Sequence, residues 1–217
     1  PPHKRGCLDL LVWFAGELRR VGVEARLGEK VAPEDIVGMN PDAVIVAVGA
    51  VPAFPPIPGI EGKGVVHAWE ILRGGAPAGN RVLVIGGGAT GLETAEYLAE
   101  RGASVTVVEM LDRFAADMGG TAAFHLRFRL KKLGVELIRS TMVQAITDRG
   151  IRVRCGDGET VWDHFDTVVI ALGVKPRGRR WESLRSRVPE LYVIGDASCP
   201  GRGVDAIRQG GEAGRKV

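Results

Sequence analysis

The chain has 217 residues, of which 45% are apolar, and its formal net charge is +3 at neutral pH. This length allows one large or two small domains, and so small a charge gives no argument for nucleic acid or a membrane surface as a partner. No apolar run approaches the roughly 18 residues of a membrane span, and no signal-peptide pattern opens the chain. The 31 glycines follow no period of three, so they indicate a turn-rich α/β chain.

The cysteines and histidines predict no metal site. Cys7, Cys155 and Cys199 are far apart and form no C-x-x-C pair, which argues against a redox disulfide and against zinc. A reducing cytoplasm is the simplest location. His67, His125 and His164 lack metal-ligand spacing, and no Ser-His-Asp arrangement can be argued from spacing. Catalytic residues therefore stay unassigned.

The N-terminal part of the chain predicts short elements. Leu8, Leu11, Ala15 and Leu18 share one face of a predicted helix that Gly22 ends. In chain order we predict this helix over 7–20, a strand over 23–27, a turn at 40–42, an apolar strand over 43–48, a Pro- and Gly-rich connector over 51–64, helical turns over 67–73 and a loop over 74–79.

One stretch, from Arg81 to Glu109, carries the strongest signal. An apolar run typical of a buried parallel strand leads into Gly86, Gly88 and Gly91, which form G-x-G-x-x-G before a helical pattern and a second strand. Glycine tolerates the positive φ of a tight turn and lets a pyrophosphate approach the backbone. The helix N-terminus attracts the anion, and a carboxylate about 20 residues on can bind the adenosine ribose. A glycine-rich turn in some other α/β protein is the alternative.

The remainder of the chain predicts alternating strands and helices. Between 121 and 133, alternating apolar residues also fit a strand, but the length and Gly134 favour a helix. The other predictions are a strand over 135–138, an antiparallel meander around 142–146, 151–155 and 160–162, a buried strand over 167–172, a basic loop over 175–187, a strand over 191–194 and a helix that starts near Asp205 within 203–213.

Two segments repeat each other and suggest a duplication. The stretch from Leu18 to Glu24 resembles the one from Leu130 to Glu136, and DAVIVAVG at 42–49 resembles DTVVIALG at 166–173. Counting back from Leu18 by the distance that separates Gly86 from Leu130 passes beyond Pro1. We therefore expect a fragment of a duplicated dinucleotide-binding protein whose first fingerprint lies outside this chain.

These motifs resemble a known family. AVIVAVGA, VLVIGGGATGLETAEYLAERGASVTVVE, DTVVIALG and YVIGDA are similar to the flavoprotein reductases with two dinucleotide domains. PDAVIVAVGAVP, VVHAWEIL and GRGVDAI resemble the C-terminal part of the old-yellow-enzyme-like reductases, the family of 2,4-dienoyl-CoA reductase, NADH:flavin oxidoreductase and trimethylamine dehydrogenase. The resemblance implies a Rossmann-like three-layer α/β NAD(P) domain inserted in a truncated FAD domain. The expected boundaries are 1–66 for the first FAD part, 67–188 for the NAD(P) domain and 189–217 for the FAD return segment.

The resemblance also implies positions for the nucleotide. Gly86, Gly88 and Gly91, with Ala89 and Thr90 between them, would hold the pyrophosphate of NAD, and Glu109 the adenosine ribose. Glu93 would lie near the nicotinamide, although an acid in a first helical turn also has a simple electrostatic explanation. Glu109 favours NAD(H) over NADP(H), and Arg113 is the complication because it could neutralise a 2′-phosphate.

For FAD, the implied positions lie at the flavin end. Gly49 and Gly173 end the crossing strands, Gly195 and Asp196 would meet the ribityl and phosphate region, and a turn or capping role is the alternative for Asp196. Asp205, Ala206 and Ile207 would start the helix that faces the flavin ring.

The resemblance implies an oxidoreductase part. It would pass hydride from NAD(P)H to FAD, with electrons going on to an upstream barrel that holds FMN and a 4Fe–4S cluster. The alternative is a module that only holds ADP, as the equivalent region does in trimethylamine dehydrogenase. No nucleic acid or membrane partner is expected.

Overall fold

The structure is a computed structural model that describes residues 1–4 and 6–217. The helices are α1 (Gly6–Arg20), α2 (Pro33–Gly38), α3 (Ala68–Leu72), α4 (Ala89–Ala99), α5 (Gly120–Lys132) and α6 (Gly203–Gly214). The strands are β1 (Ala43–Val46), β2 (Ala50–Pro52), β3 (Val65–His67), β4 (Arg81–Ile85), β5 (Ser104–Val108), β6 (Glu136–Ile138), β7 (Thr141–Thr147), β8 (Gly150–Cys155), β9 (Gly158–Trp162), β10 (Thr167–Ile170), β11 (Val174–Pro176) and β12 (Glu190–Val193). Two 3₁₀ helices span Gly178–Leu184 and Gly195–Ala197. Within the described ranges, no helix is long and apolar enough to cross a bilayer.

The chain divides into two compact units. The first unit comprises Pro1–Asp9 and Phe54–Leu172, and the second comprises Leu10–Ala53 and Gly173–Val217. The main segment of the first unit therefore interrupts the second in sequence. The NAD(P) domain was expected to span residues 67–188. The main segment of the first unit both begins earlier, at Phe54, and ends earlier, at Leu172.

A five-stranded parallel sheet forms the centre of the first unit. Its order is β3-β10-β4-β5-β6, with every neighbouring pair parallel. β4 is the middle strand, and the four residues after Arg81 are buried on both faces of the sheet. This burial explains why the sequence of β4 is continuously apolar instead of alternating.

The two faces of this sheet carry different layers. Val82 and Val84 point to a core shared with the helices, and Leu83 and Ile85 point to a core shared with the antiparallel sheet β7-β8-β9. The helix-side core also contains Ile71 of α3, Leu92, Ala95 and Leu98 of α4, and Leu126 and Leu130 of α5. The other core contains Val143, Ile151 and Val153 of the antiparallel sheet. The predicted three-layer Rossmann-like α/β fold is confirmed.

A buried ion pair joins α4 to α5. The side chain of Glu96 is only 1% exposed, and its carboxylate is bound by the guanidinium of Arg129, with Nη2 3.2 Å from Oε2. His3 lies 3.8 Å from the same carboxylate. A buried carboxylate without such partners would be strongly destabilising. Arg129 therefore stabilises the contact between α4 and α5.

The second unit contains two small sheets. β1 and β12 form a parallel pair, and β2 and β11 form an antiparallel ribbon. The residues of α1 that the structure describes include none that is buried, and Leu11, Val12 and Trp13 are more than half exposed. The α1 helix predicted from its apolar face is confirmed, but none of the described residues buries that face.

The predicted strand over 23–27 is wrong. All five residues are exposed, and no described strand pairs with them. A short apolar alternation becomes a strand only where a neighbour offers backbone partners and a face to bury. Shortly after, α2 was not predicted, although Pro33 in its first turn and the Asp35 side chain, which accepts the Ala32 N–H at 2.7 Å, are typical helix-start signals.

His67 ends β3 and caps α3 from a buried position. Its ring is 4% exposed, and Nδ1 accepts the N–H of Trp69 at 3.1 Å. With Nδ1 as acceptor the proton is on Nε2, which has no hydrogen-bond partner among the described residues. Burial lowers the pKa of His67, an effect that Glu70 opposes and Arg73 reinforces.

We predict that His67 makes the first unit less stable in acid. Because burial lowers the pKa of the folded imidazole, His67 takes up a proton less readily in the folded chain than in the unfolded chain, whose histidine pKa is about 6.5. The free energy of unfolding should therefore fall as pH drops below that value, by up to about 1.4 kcal/mol per pH unit. His67→Asn keeps an acceptor for the Trp69 N–H but does not titrate. Urea unfolding between pH 7.5 and 5 should show a smaller fall for the variant, and equal slopes would contradict this assignment.

Candidate functional site

The three glycines of the fingerprint lie in the turn after β4 and the first turn of α4, and each meets a different constraint. Gly86 has a φ of 111°, and a Cβ there would overlap the carbonyl oxygen of Ala171. A Cβ at Gly91 would overlap the carbonyl oxygen of Gly86, so α4 could not start so close to β4. Gly88, with a φ of −74°, is unstrained, and the nearest group to a Cβ there is the Asp117 carboxylate, 3.2 Å away. Backbone freedom therefore explains Gly86, and close packing explains Gly91.

The first turn of α4 presents N–H donors. Ala89 donates to both oxygens of Asp117, at 2.9 and 3.1 Å, and the N–H of Leu92 makes the first helical bond to Gly88. The N–H groups of Thr90 and Gly91 have no acceptor within the described part of the chain. An anion at this helix end would find these donors and the positive end of the helix dipole.

Glu109 lies at the end of β5, beside the glycine turn. Its Oε2 accepts the N–H of Gly87 at 2.7 Å, and its Oε1 accepts the N–H of Leu111 at 2.8 Å. An ionised carboxylate has about four acceptor positions. Both oxygens can therefore accept further hydrogen bonds, such as those of a ribose diol, while the backbone fixes their position.

An apolar cleft of about 370 Å³ adjoins Glu109. Its lining includes Gly86, Val108, Met110, Thr141, Met142 and Val143. Thr141 is fixed there because its N–H donates to the Glu109 carbonyl at 2.9 Å. The last four of these residues were not predicted as site residues, although their position just after β5 and β6, at the carboxyl edge of a parallel sheet, is a signal that could have identified them.

Glu93 and Arg113 differ in their surroundings. The Glu93 carboxylate, 13% exposed, forms an ion pair with Lys4, whose Nζ lies 2.8 Å from Oε1. This hydrogen bond raises the pKa of Lys4, against the opposing effect of burial. Arg113 is exposed and makes no ion pair or hydrogen bond with residues that the structure describes.

The second unit contains the residues predicted for the flavin. Gly49 and Gly173 flank the β2–β11 ribbon. The Gly49 carbonyl accepts a hydrogen bond from the backbone N–H of Arg177, and the Gly173 carbonyl accepts one from the backbone N–H of Ala53, both at 3.1 Å. Gly195 has a φ of 59°, and Asp196 accepts the Gly201 N–H at 3.0 Å.

The start of α6 lies beside this turn. A Cβ at Gly195 would lie 3.5 Å from that of Ala206. Asp205 accepts the Arg202 N–H at 3.2 Å in a capping arrangement, and Ile207 is 58% exposed. The second unit thus brings its predicted residues into two groups, one at the ribbon and one at this turn.

The sequence pattern of one family, described as pyridine nucleotide-disulphide oxidoreductase, matches residues 22–210. The chain belongs to this family. Membership implies binding of FAD and NAD(P)H, which agrees with the glycine turn and with the carboxylate at the end of β5. The strand, glycine and helix order predicted for 81–109 is therefore that of a dinucleotide-binding fold and not of another glycine-rich turn.

Several relatives extend beyond this chain. It is 38% identical over 203 residues to an NADH oxidase of Thermoanaerobacter brockii, with 91% of this chain and 31% of the relative covered. It is 36% identical to a bilirubin reductase of Mediterraneibacter gnavus, with 96% and 32% covered. A solved 2-naphthoyl-CoA reductase complex superposes with a TM-score of 0.87 at 28% identity, covering 94% of this chain and 31% of that one. The chain spans about a third of the length of these proteins.

We predict that substitutions at Gly88 and Gly91 separate ligand binding from folding. In Gly88→Val the side chain displaces only an exposed carboxylate and enters the face where a pyrophosphate would be expected, so NADH affinity should fall at least about tenfold, or 1.4 kcal/mol, with little change in melting temperature. In the matched variant Gly91→Ala, the overlap with the Gly86 backbone should lower the melting temperature markedly. Wild-type NADH affinity in Gly88→Val would show that the fingerprint is only structural.

Proposed function

We propose that this chain is the pyridine-nucleotide-binding part of a flavin-dependent oxidoreductase, in which hydride passes from NAD(P)H to FAD. The electrons would go on to an FMN and a 4Fe–4S cluster in an upstream barrel and then to an unsaturated or small organic substrate. This is the arrangement of the old-yellow-enzyme-like reductases. The similarity to much longer proteins with the names NADH oxidase, bilirubin reductase and 2-naphthoyl-CoA reductase supports the proposal.

The observation that carries the proposal is the set of groups at the carboxyl edge of the parallel sheet in the first unit. Gly88 leaves a face of the backbone without a side chain, Thr90 and Gly91 offer N–H donors, and Glu109 lies beside an apolar cleft. These features fit the pyrophosphate, ribose and adenine of a dinucleotide in that order. In this assignment Met110, Met142 and Val143 would contact the adenine.

The flavin end is assigned to the second unit. Gly49 and Gly173 would let FAD approach the ribbon, while Gly195, Asp196 and the start of α6 at Asp205, Ala206 and Ile207 would contact its ribityl and ring. Asp196 has one oxygen in a turn bond to Gly201, which leaves the other oxygen for a ligand.

The three cysteines are free thiols, which supports the proposed cytoplasmic location.

The ion pair between Lys4 and Glu93 favours a second candidate function. A carboxylate held by Lys4 at 2.8 Å is less available to a nicotinamide amide, whereas Glu109 and the cleft beside it could still accept an adenosine. The chain would then be a module that holds only ADP within a larger flavoprotein. Under the first proposal, Glu93 exchanges Lys4 for the nicotinamide when NADH binds.

We predict that NADH binds to the isolated chain one to one and more tightly than ADP, with a change in nicotinamide fluorescence, because both halves of the molecule are held. Isothermal titration gives the two affinities, and fluorescence reports the nicotinamide. Equal affinities with unchanged fluorescence would support the ADP-holding module instead. In the complete protein with FAD bound, NADH added without oxygen should bleach the flavin absorbance, and Gly88→Val should prevent the bleaching.

We also predict a preference for NADH over NADPH of about tenfold or more. Glu109 places negative charge beside the ribose, where a 2′-phosphate would be repelled, and 1.4 kcal/mol of repulsion already gives tenfold. Glu109→Gln should narrow the ratio of dissociation constants. Arg113→Ala should leave NADH binding unchanged and, if Arg113 does contact the phosphate, weaken only NADPH. Tighter binding of NADPH by the wild-type chain would overturn the assignment.

A further inference from the structure

The loop between β5 and α5 brings a carboxylate to the first N–H group of α4. Both oxygens of Asp117 lie within 3.1 Å of the Ala89 nitrogen. Ala89 directly follows Gly88, the residue before the helix. An acidic group is stabilised at a helix N-terminus by the dipole and by the unpaired N–H groups. In this structure the protein itself therefore supplies an anion at this end of α4.

Asp117 also covers the glycine surface. A Cβ at Gly88 would lie 3.2 and 3.4 Å from the two carboxylate oxygens, so the carboxylate lies against the face of the turn on which Gly88 has no side chain. This is the face that the proposed function gives to the pyrophosphate. Two anions at such close range repel each other, and the Ala89 N–H that Asp117 occupies is one of the donors that the pyrophosphate needs.

The loop is fastened upstream of Asp117. Ala115 is 5% exposed, and its N–H donates to the Gly87 carbonyl at 2.8 Å. Asp117 itself is exposed and is followed, after Met118, by Gly119 and Gly120. The carboxylate can therefore leave Ala89 by rotation of an exposed side chain, while Ala115 keeps the start of the loop in place.

We propose that Asp117 is an internal competitor of the dinucleotide. Its carboxylate binds the Ala89 N–H in the free protein and leaves when the pyrophosphate binds, so the affinity for NADH is lower than the helix end alone would give. The same carboxylate excludes small anions such as inorganic phosphate from the free site, which is discrimination by repulsion. This inference rests on the proposed function, because that function places the pyrophosphate at α4.

The test compares three variants by titration with NADH and with inorganic pyrophosphate. Asp117→Asn keeps an oxygen acceptor for the Ala89 N–H but removes the charge, and Asp117→Ala removes both. Asp112→Asn is the matched control, since it removes a charge from the same loop and its carboxylate makes no described contact with α4. We expect both probes to bind about three- to tenfold more tightly to the two Asp117 variants, and the control to bind as the wild type does.

A fixed structural role would give the opposite result. If Asp117 only holds the loop in place, the variants bind NADH as weakly as the wild type or more weakly, and that result overturns the proposal. A second measurement follows the ¹³C resonance of the Asp117 carboxyl, which should shift at saturating NADH in the wild-type protein. An unchanged resonance would show that the carboxylate stays on Ala89 and would also overturn the proposal.

Failure of the proposed function can be told apart from failure of this inference. If NADH does not bind but pyrophosphate binds more tightly to Asp117→Asn than to the wild type, the dinucleotide function is wrong and the competition stands. If NADH binds equally to both, the competition is wrong and the function stands. Binding of neither probe to any variant would reject both.

Discussion

The close contact between the start of α4 and the end of β4 organises the first unit. The helix backbone at Gly91 lies against the Gly86 carbonyl with no room for a side chain, and this proximity lets Leu92 and Ala95 reach the core over the sheet. Because β4 is the middle strand, the contact places the helix N-terminus at the centre of the sheet's carboxyl edge. Every group assigned to the nucleotide pyrophosphate, ribose or adenine lies along that edge.

Unpaired N–H groups at such a helix end are unfavourable, and in this structure two carboxylates of the protein accept hydrogen bonds there. The N–H groups of a first helical turn have no partners within the helix, and a turn with little side-chain volume supplies none. Glu109 and Asp117 come from other segments and accept the N–H groups of Gly87 and Ala89. Their charges are favourable beside the helix dipole. In the proposed function the same two charges would also discriminate among anionic ligands, so that the stability of the turn and its selectivity would depend on the same groups.

The sequence predicted well those parts in which neighbouring residues carry the information. The order of β4, α4 and β5 follows from long apolar runs and the glycines between them, and α5 was correctly preferred over a strand because of its length and Gly134. The strand over 23–27 failed because strand formation depends on a partner, which a local pattern does not contain. Domain boundaries and the individual cofactor contacts are still predictions.

The candidate site was predicted only where the chain is continuous. Gly86 to Glu109 form one stretch, whereas Asp117, Thr141 and Met142 reach the site from later segments. Nothing in the local sequence around Asp117 distinguishes it from the other acids of its loop, because its role depends on where that loop crosses α4. The backbone of the glycine turn can therefore be predicted from one continuous stretch, whereas the side chains that reach it from later segments cannot.

The three glycines of the G-x-G-x-x-G motif are required for different physical reasons. Glycine is required at 86 for its φ and at 91 for a backbone contact, both of which belong to the folded chain alone. At 88 the φ is ordinary and the surrounding space is open except for an exposed carboxylate. Folding therefore leaves this position open to other residues. The fold does not require a glycine there, whereas the pyrophosphate of the proposed function would, and this makes Gly88 the residue of the motif that argues most directly for that proposal.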